Sequence, residues 1–148
     1  MKILIIAPCY PPWPIIGSVR SSAMAKYLQM AGNECAVLTV SMASLPLVDP
    51  HFVVKNSSVK EIRVPPGWIV PHPLKCRNGK EIGLFHKIIR RIALLYALDA
   101  YHFWAKKAAR AFIHAPPFNP DIVISSSLPF SAHYAGFLIS KAFRARWI

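Results

Sequence analysis

The sequence predicts an α/β domain built on an open, mostly parallel sheet with helices on both faces. Three observations carry that expectation. The run Ile3–Ala7 is almost entirely Ile and Leu, which suits a central parallel strand covered on both sides. A helix-like segment from Ser18 to Ala31 follows, then Gly32 and a second apolar run from Ala36 to Val40, completing a strand–loop–helix–strand unit. Much later, Asp121–Ser125 reads as another buried strand and runs into the apolar helical segment Phe130–Phe143. Such βαβ units assemble into a Rossmann-like sheet.

Each element has a local reason. In the first helix Ala23, Met24, Tyr27, Leu28 and Ala31 are expected to form the packed face, with Ser22, Lys26 and Gln29 opposite. Ser18 is the expected N-cap, Gly32 the expected stop, and Glu34–Val40 the second strand. Between Ser41 and Lys80 the pattern is less regular: Val59–Val64 alternates like a strand, Pro65-Pro66-Gly67 ends it, and Pro71-His72-Pro73 continues as a loop.

Helical periodicity returns from Ile82 to His114. Leu84, Phe85, Ile88, Ile89, Ile92, Leu95 and Tyr96 make an apolar stripe, opposite His86, Lys87, Arg90 and Arg91. A break near Leu98 lets Asp99 cap a second helix with Trp104, Ala108 and Phe112 inward and Lys106, Lys107 and Arg110 outward. Pro129 is expected in the first turn of the last helix, whose apolar character all round predicts burial. Arg146-Trp147-Ile148 begins a further strand. The whole, residues 1–148, reads as a single domain, incomplete at its C-terminal end.

Composition narrows the partners. Lys and Arg number 18 against 6 Asp and Glu, giving a net charge of +12 although only 16% of residues are charged. Such a surface attracts polyanions: nucleic acid, anionic lipid headgroups or phosphorylated small molecules. The prolines at 8, 11, 12 and 14 cut the first apolar run short of a secretory signal. No uninterrupted apolar stretch is long enough to span a bilayer, because Arg90-Arg91, Asp99 and Pro129 break the nearest candidates. Cys9, Cys35 and Cys76 lack any CxxC spacing, which argues against a zinc site or a disulfide framework and for a cytoplasmic setting. His51, His72, His86, His102 and His114 are scattered without metal-ligand spacing, so no metal and no resident cofactor are expected.

The candidate site lies where the loops leave the sheet. In open parallel sheets ligands collect beyond the carboxyl ends of the strands. Two junctions face that edge: Gly17-Ser18, opening the first helix, and Ser126–Pro129, opening the last. Each helix start offers backbone N–H groups and a partial positive charge to an anion. Gly17 would let a phosphate approach the backbone and Arg20 would add charge; the plainer alternative is a turn glycine and a solvated arginine. No GxGxxG or Walker A loop is present, which argues against a nicotinamide or P-loop nucleotide site.

The stretch YPPWPIIGSVRSSAMAKYLQMAGNECAVLT resembles the start of GT-B glycosyltransferases of the subfamily 4-like type, with an aromatic-Pro-Pro loop, a short spacer, glycine and a helix arginine. LDAYHFWAKKA is similar to a Leu-Asp…Trp…Ala segment of some members, and NPDIVISSSLPFSAHYAGFLISKAFRARWI to the family's Pro-Asp…Ser-Ser-x-Pro-x-Ser-x-His segment. The chain departs from the pattern in having Ile16-Gly17 in place of a glycine pair. The family's second domain, which binds most of the nucleotide-sugar, has no counterpart in these residues.

The resemblance implies the acceptor-side, N-terminal domain of an enzyme moving a sugar from a nucleotide-sugar to a glycan or lipid-linked acceptor in cell-envelope synthesis. This domain alone is expected to be inactive. Gly17, Ser18 and Arg20 would face the donor diphosphate, and Ser126, Ser127 and His133 the sugar or acceptor; no catalytic residue is assigned. For His133 a structural role at the cleft edge stands beside a ligand contact.

Lys87, Arg90, Arg91, Lys106, Lys107 and Arg110 are either a solvated face or a patch docking on anionic lipid at the inner face of the cytoplasmic membrane, with Phe85, Trp104 and Phe112 available to insert if exposed. Trp13 and Trp68 could reach a membrane or a sugar from their loops, or simply pack there. Two other function classes remain: a basic, non-catalytic module for nucleic acid or a partner protein, and a small-molecule enzyme on a flavodoxin-like sheet. Nucleic acid is disfavoured by the absence of RNA-binding motifs.

Overall fold

A computed structural model describes residues 1–52, 59–66, 88, 91, 99–127 and 129–148. The elements are β1 (Lys2–Ile6), α1 (Ile16–Met30), β2 (Glu34–Val40), β3 (Lys60–Val64), α2 (His102–His114), β4 (Ile122–Ser125), α3 (Ser131–Phe143) and β5 (Arg146–Trp147). The five strands form one sheet in the order β3-β2-β1-β4-β5, parallel throughout. In register, Ile3 stands between Cys35 of β2 and Ile122 of β4. The expected open α/β sheet is therefore present, and wholly parallel among the described residues.

Alternation along the strands divides the core in two. Leu4, Ile6, Ala36, Leu38, Val40 and Val123 face α2 and α3, meeting Trp104, Ala108, Phe112, Ala132, Ala135 and Ile139. Ile3, Ile5, Cys35 and Val37 face the other way, toward Ala25, Met24 and Leu28 of α1. Helices thus cover both faces. Tyr134 stacks on His102 near the starts of α3 and α2, and Phe143 meets Phe112 near their ends, so these two helices run parallel and side by side.

The first helix is rotated and shifted from its expected position. It begins at Ile16, with an extended Ile15 at the cap position and no side-chain cap; Ser18 lies inside the helix, fully buried. The residues turned to the sheet are Ser18, Ser21 and Ala25, whereas Tyr27 is 65% exposed. Small side chains win that face because they let the helix axis approach the sheet, and the larger Met24 and Leu28 fill its flanks. The C-terminus behaves as expected. Gly32 takes φ +82°, and the N–H groups of Gly32 and Asn33 donate to the carbonyls of Gln29 and Leu28 in a Schellman closure.

Two further expectations are corrected. The last helix starts at Ser131, after rather than at Pro129, and it is not buried all round: Phe137 stays 45% exposed while Ala132, Ala135, Gly136 and Ile139 carry the packed face. Ile88, placed in an apolar stripe, is half-exposed, and Arg91 is exposed. The remainder of the 82–98 stripe, with Phe85, His86, Lys87 and Arg90, lies outside the described residues, as do Trp68, His72 and Cys76. Among the described residues no helix is long and apolar enough to cross a membrane.

Candidate functional site

The chain runs outward from β1 through β2 to β3, then returns to place β4 on the opposite side of β1. Strand order reverses between β1 and β4, which makes their carboxyl ends the topological switch point. A cleft of about 810 Å³ opens there; the described residues lining it are Cys9, Pro14, Ile15, Ile16, Gly17, Arg20 and Ser127.

The loop after β1 is firmly held. The Ala7 N–H donates to Leu38, Thr39 Oγ1 to the Pro8 carbonyl, and Trp13 N–H to Tyr10. Arg63 at the end of β3 reaches under the loop, donating from Nη2 to the Pro11 carbonyl at 2.5 Å and from Nη1 to Val40, with Glu61 holding its other edge. Tyr10 and Trp13 are buried in consequence, so Trp13 is a packing residue and not one that reaches outward.

Gly17 does permit a close approach, but of the protein to itself. A Cβ built there would lie 3.1 Å from the Cβ of Cys9, so the glycine lets the loop after β1 nest against the first turn of α1. Burial pushes the Cys9 thiol up to about 11, against a smaller opposing pull from the Arg20 charge. Arg20 itself is exposed and donates from Nη2 to the Ser127 carbonyl, linking α1 to the loop after β4 across the switch point. A guanidinium has five N–H donors, so that bond leaves others for an anion. The first-turn N–H groups of Ile16 and Gly17 precede the helical ladder, whereas those of Ser18 and Val19 already donate to Ile15.

The second expected anion site is not free. The Asp99 carboxylate accepts the Ser131 N–H at 2.8 Å and the Ser131 hydroxyl at 2.5 Å. It also takes the Tyr101 N–H at 2.7 Å, so one acidic side chain serves the starts of both α2 and α3. The N–H groups of Ala132 and His133 turn back to Pro129 and Phe130. An internal carboxylate thus occupies the positive end of α3, and an external anion would have to displace it.

The remaining sequence-derived residues divide between cleft and core. Gly17, Arg20 and Ser127 come together at the cleft. Ser18 is buried beneath α1, its hydroxyl unpartnered among the described residues. Ser126 is half-buried, its hydroxyl within 3.4 Å of the Ser127 carbonyl. His133 turns inward: its Nδ1 lies 2.7 Å from Ser125 Oγ, which also accepts the Trp147 indole N–H at 2.8 Å. An indole N–H only donates, so the Ser125 oxygen is the acceptor for Trp147 and shares a hydrogen bond with the His133 ring nitrogen. The result is a latch joining β4, β5 and α3. Gly136 makes room for it, because a Cβ there would fall 2.7 Å from Trp147 Nε1.

Trp104 and Phe112 are buried and cannot insert into a bilayer; the Trp104 indole N–H donates to the Val64 carbonyl. Lys106, Lys107 and Arg110 are exposed as expected, and so is Arg91. His51 and His114 are exposed, while His102 is half-buried against Tyr134. Among the described residues no three His, Cys, Asp or Glu side chains cluster in a manner that would hold a metal.

Sequence reasoning missed Arg63, the double service of Asp99 and the Ser125–His133–Trp147 latch. Only Gly136, a glycine inside an otherwise apolar helix, carried a local signal of close approach. No family model matches the chain, and no curated protein or solved structure matches it significantly.

Proposed function

We propose that this chain is the acceptor-side domain of a GT-B, subfamily 4-like glycosyltransferase, working at the inner face of the cytoplasmic membrane. The reaction transfers a sugar from a nucleotide-sugar to a glycan or lipid-linked hydroxyl. Support comes from the three ordered sequence segments that resemble the family and from a cleft at the switch point. The observation that carries the reading is Arg20, anchored on Ser127 between the β1 and β4 loops, beside the first turn of α1.

Chemically, the bond from the sugar's anomeric carbon to the diphosphate breaks, and the electron pair leaves on the phosphate oxygen. The acceptor hydroxyl oxygen forms the new bond to the anomeric carbon, and its proton passes to an oxygen of the leaving diphosphate. Arg20 and the α1 start supply positive potential for the leaving diphosphate, and the rigid Pro8–Pro14 loop fixes where that potential lies. Binding and orientation, with no metal ion, are the contribution of these residues.

The test is transfer or hydrolysis of a panel of nucleotide-sugars by the protein with its full coding sequence, alongside melting with nucleoside diphosphates. Turnover, or a raised melting temperature with a nucleoside diphosphate, supports the reading. Inertness in both overturns it.

A further inference from the structure

Four of the seven residues from Pro8 to Pro14 are prolines, which have no N–H to donate. Such a loop makes few bonds within itself, so donors from other elements set its place above the sheet. Three reach it. Thr39 Oγ1 donates to the Pro8 carbonyl at 3.3 Å, Arg63 Nη2 to that of Pro11 at 2.5 Å, and the Asp49 N–H to that of Pro12 at 3.0 Å. Thr39 and Arg63 are register partners on β2 and β3, so both side chains leave the sheet face that α1 covers.

Arg63 is the strongest of the three holds. Its side chain is only 17% exposed, and its guanidinium spans the carbonyls of Pro11 and Val40 and the Glu61 carboxylate. Glu61 Oε2 lies 2.9 Å from Nε and 2.7 Å from Nη2. Bonds from a charged donor shielded from water are strong and fix direction. Glu61 balances the guanidinium charge, so Arg63 presents a rigid fork rather than a free cation. What the fork holds leads straight into the cleft, although Arg63 is not among the described residues lining it. Cys9 stands between the two captured carbonyls of Pro8 and Pro11 and packs on Gly17, where a Cβ would come within 3.1 Å of it. Pro14 is followed at once by Ile15 at the cap of α1 and by the first-turn residues Ile16 and Gly17. A shift at Pro11 therefore moves Cys9, the α1 start and Arg20 one turn on.

We propose that Arg63 is a positioning residue for the cleft: through the Pro11 carbonyl it sets where the α1 start and Arg20 meet an anion such as a diphosphate. It acts by geometry and not by its own charge. This rests on the anion-binding reading under Proposed function and names a residue two strands away from β1 on which that site depends.

The test uses the protein with its full coding sequence, as the parent, Arg63→Lys and Arg63→Gln. It pairs calorimetric titration of uridine and guanosine diphosphates with iodoacetamide labelling of Cys9 and Cys35, followed by peptide mass spectrometry. Arg63→Gln should bind nucleotide about tenfold more weakly. Arg63→Lys should lose about threefold or more, because an ammonium keeps the charge but not the fork. Each ratio to the parent should be the same at low and high salt, as for a displaced site rather than a lost charge. Cys9 labelling should rise about tenfold in both variants while Cys35, buried in β2, keeps its parental rate. A general loss of stability would raise the two cysteines together. Should Arg63→Gln fail to fold, Arg63→Lys, with its aliphatic stem and charge retained, carries the test alone. Unchanged Cys9 labelling, a joint rise of Cys9 and Cys35, full affinity in Arg63→Lys, or a loss confined to low salt overturns the proposal. So does a freed Cys9 with unaltered nucleotide affinity. A parent that binds neither diphosphate overturns the anion-binding reading itself, a result seen before any variant is made, and the dependence on Arg63 falls with it.

Discussion

Gly136 and Gly32 show how one missing side chain supports different things. A methyl group at position 136 would collide with the Trp147 indole and with Ser125, both parts of the latch. Gly136→Ala should cost about 1–3 kcal/mol by overpacking, read as a lowered denaturant midpoint. At Gly32 nothing obstructs a Cβ, yet φ is +82°, so Gly32→Ala should cost about 1–2 kcal/mol through backbone strain alone. The Cys9 thiol gives a pH readout. Its folded value near 11 exceeds the ordinary 9.0, so the neutral thiol is favoured in the folded state. At pH 7.5 iodoacetamide should modify Cys9 about a hundredfold more slowly than in urea-unfolded protein. The rate should climb with pH until about 11, followed by peptide mass spectrometry. Rapid labelling of folded protein at neutral pH would contradict this burial.

Among the elements, α2 and α3 depend on a residue that belongs to neither. Asp99→Ala removes an acceptor from the Tyr101 N–H and from both donors of Ser131, whose side chain is fully buried. The expected loss is about 2–4 kcal/mol, greater than for a single cap, and Asp99→Asn should recover part of it. Chemical denaturation of the pair checks this; equal stability of Asp99→Ala and the parent would show that the cap contributes nothing. The sequence made Asp99 legible as a local cap. Its partner Ser131 lies far along the chain, and no local pattern announces such a contact. The strands were legible because Ile3–Ala7, Glu34–Val40 and Asp121–Ser125 are apolar runs that admit one covered environment. The facing of α1 was not, because Ser18 and Ser21 look polar in sequence. Their small size, rather than their polarity, decided which side met the sheet.

Across the whole molecule, strand order places the two sequence-singled loops at one switch point, and the charge imbalance separates into two territories. At the cleft it is concentrated in Arg20; on α2 it is carried by the exposed Lys106, Lys107 and Arg110, and neither α2 nor α3 contains an acid. The first was legible as a site because Gly17 and Arg20 stand next to a strand end in sequence; the cations of the second were legible either as a solvated face or as a lipid-docking patch. Ser127 joined them through sheet order, which no local spacing encodes. The central claim is that Arg20 and the α1 start form an anion-binding wall for a diphosphate. Its most direct measurement is calorimetric titration of uridine and guanosine diphosphates into the parent and into Arg20→Gln. The account predicts binding by the parent to at least one nucleotide and a loss of about tenfold to a hundredfold in the variant, as for a charged hydrogen bond. Equal affinity in the two proteins, or no binding by the parent, would contradict it.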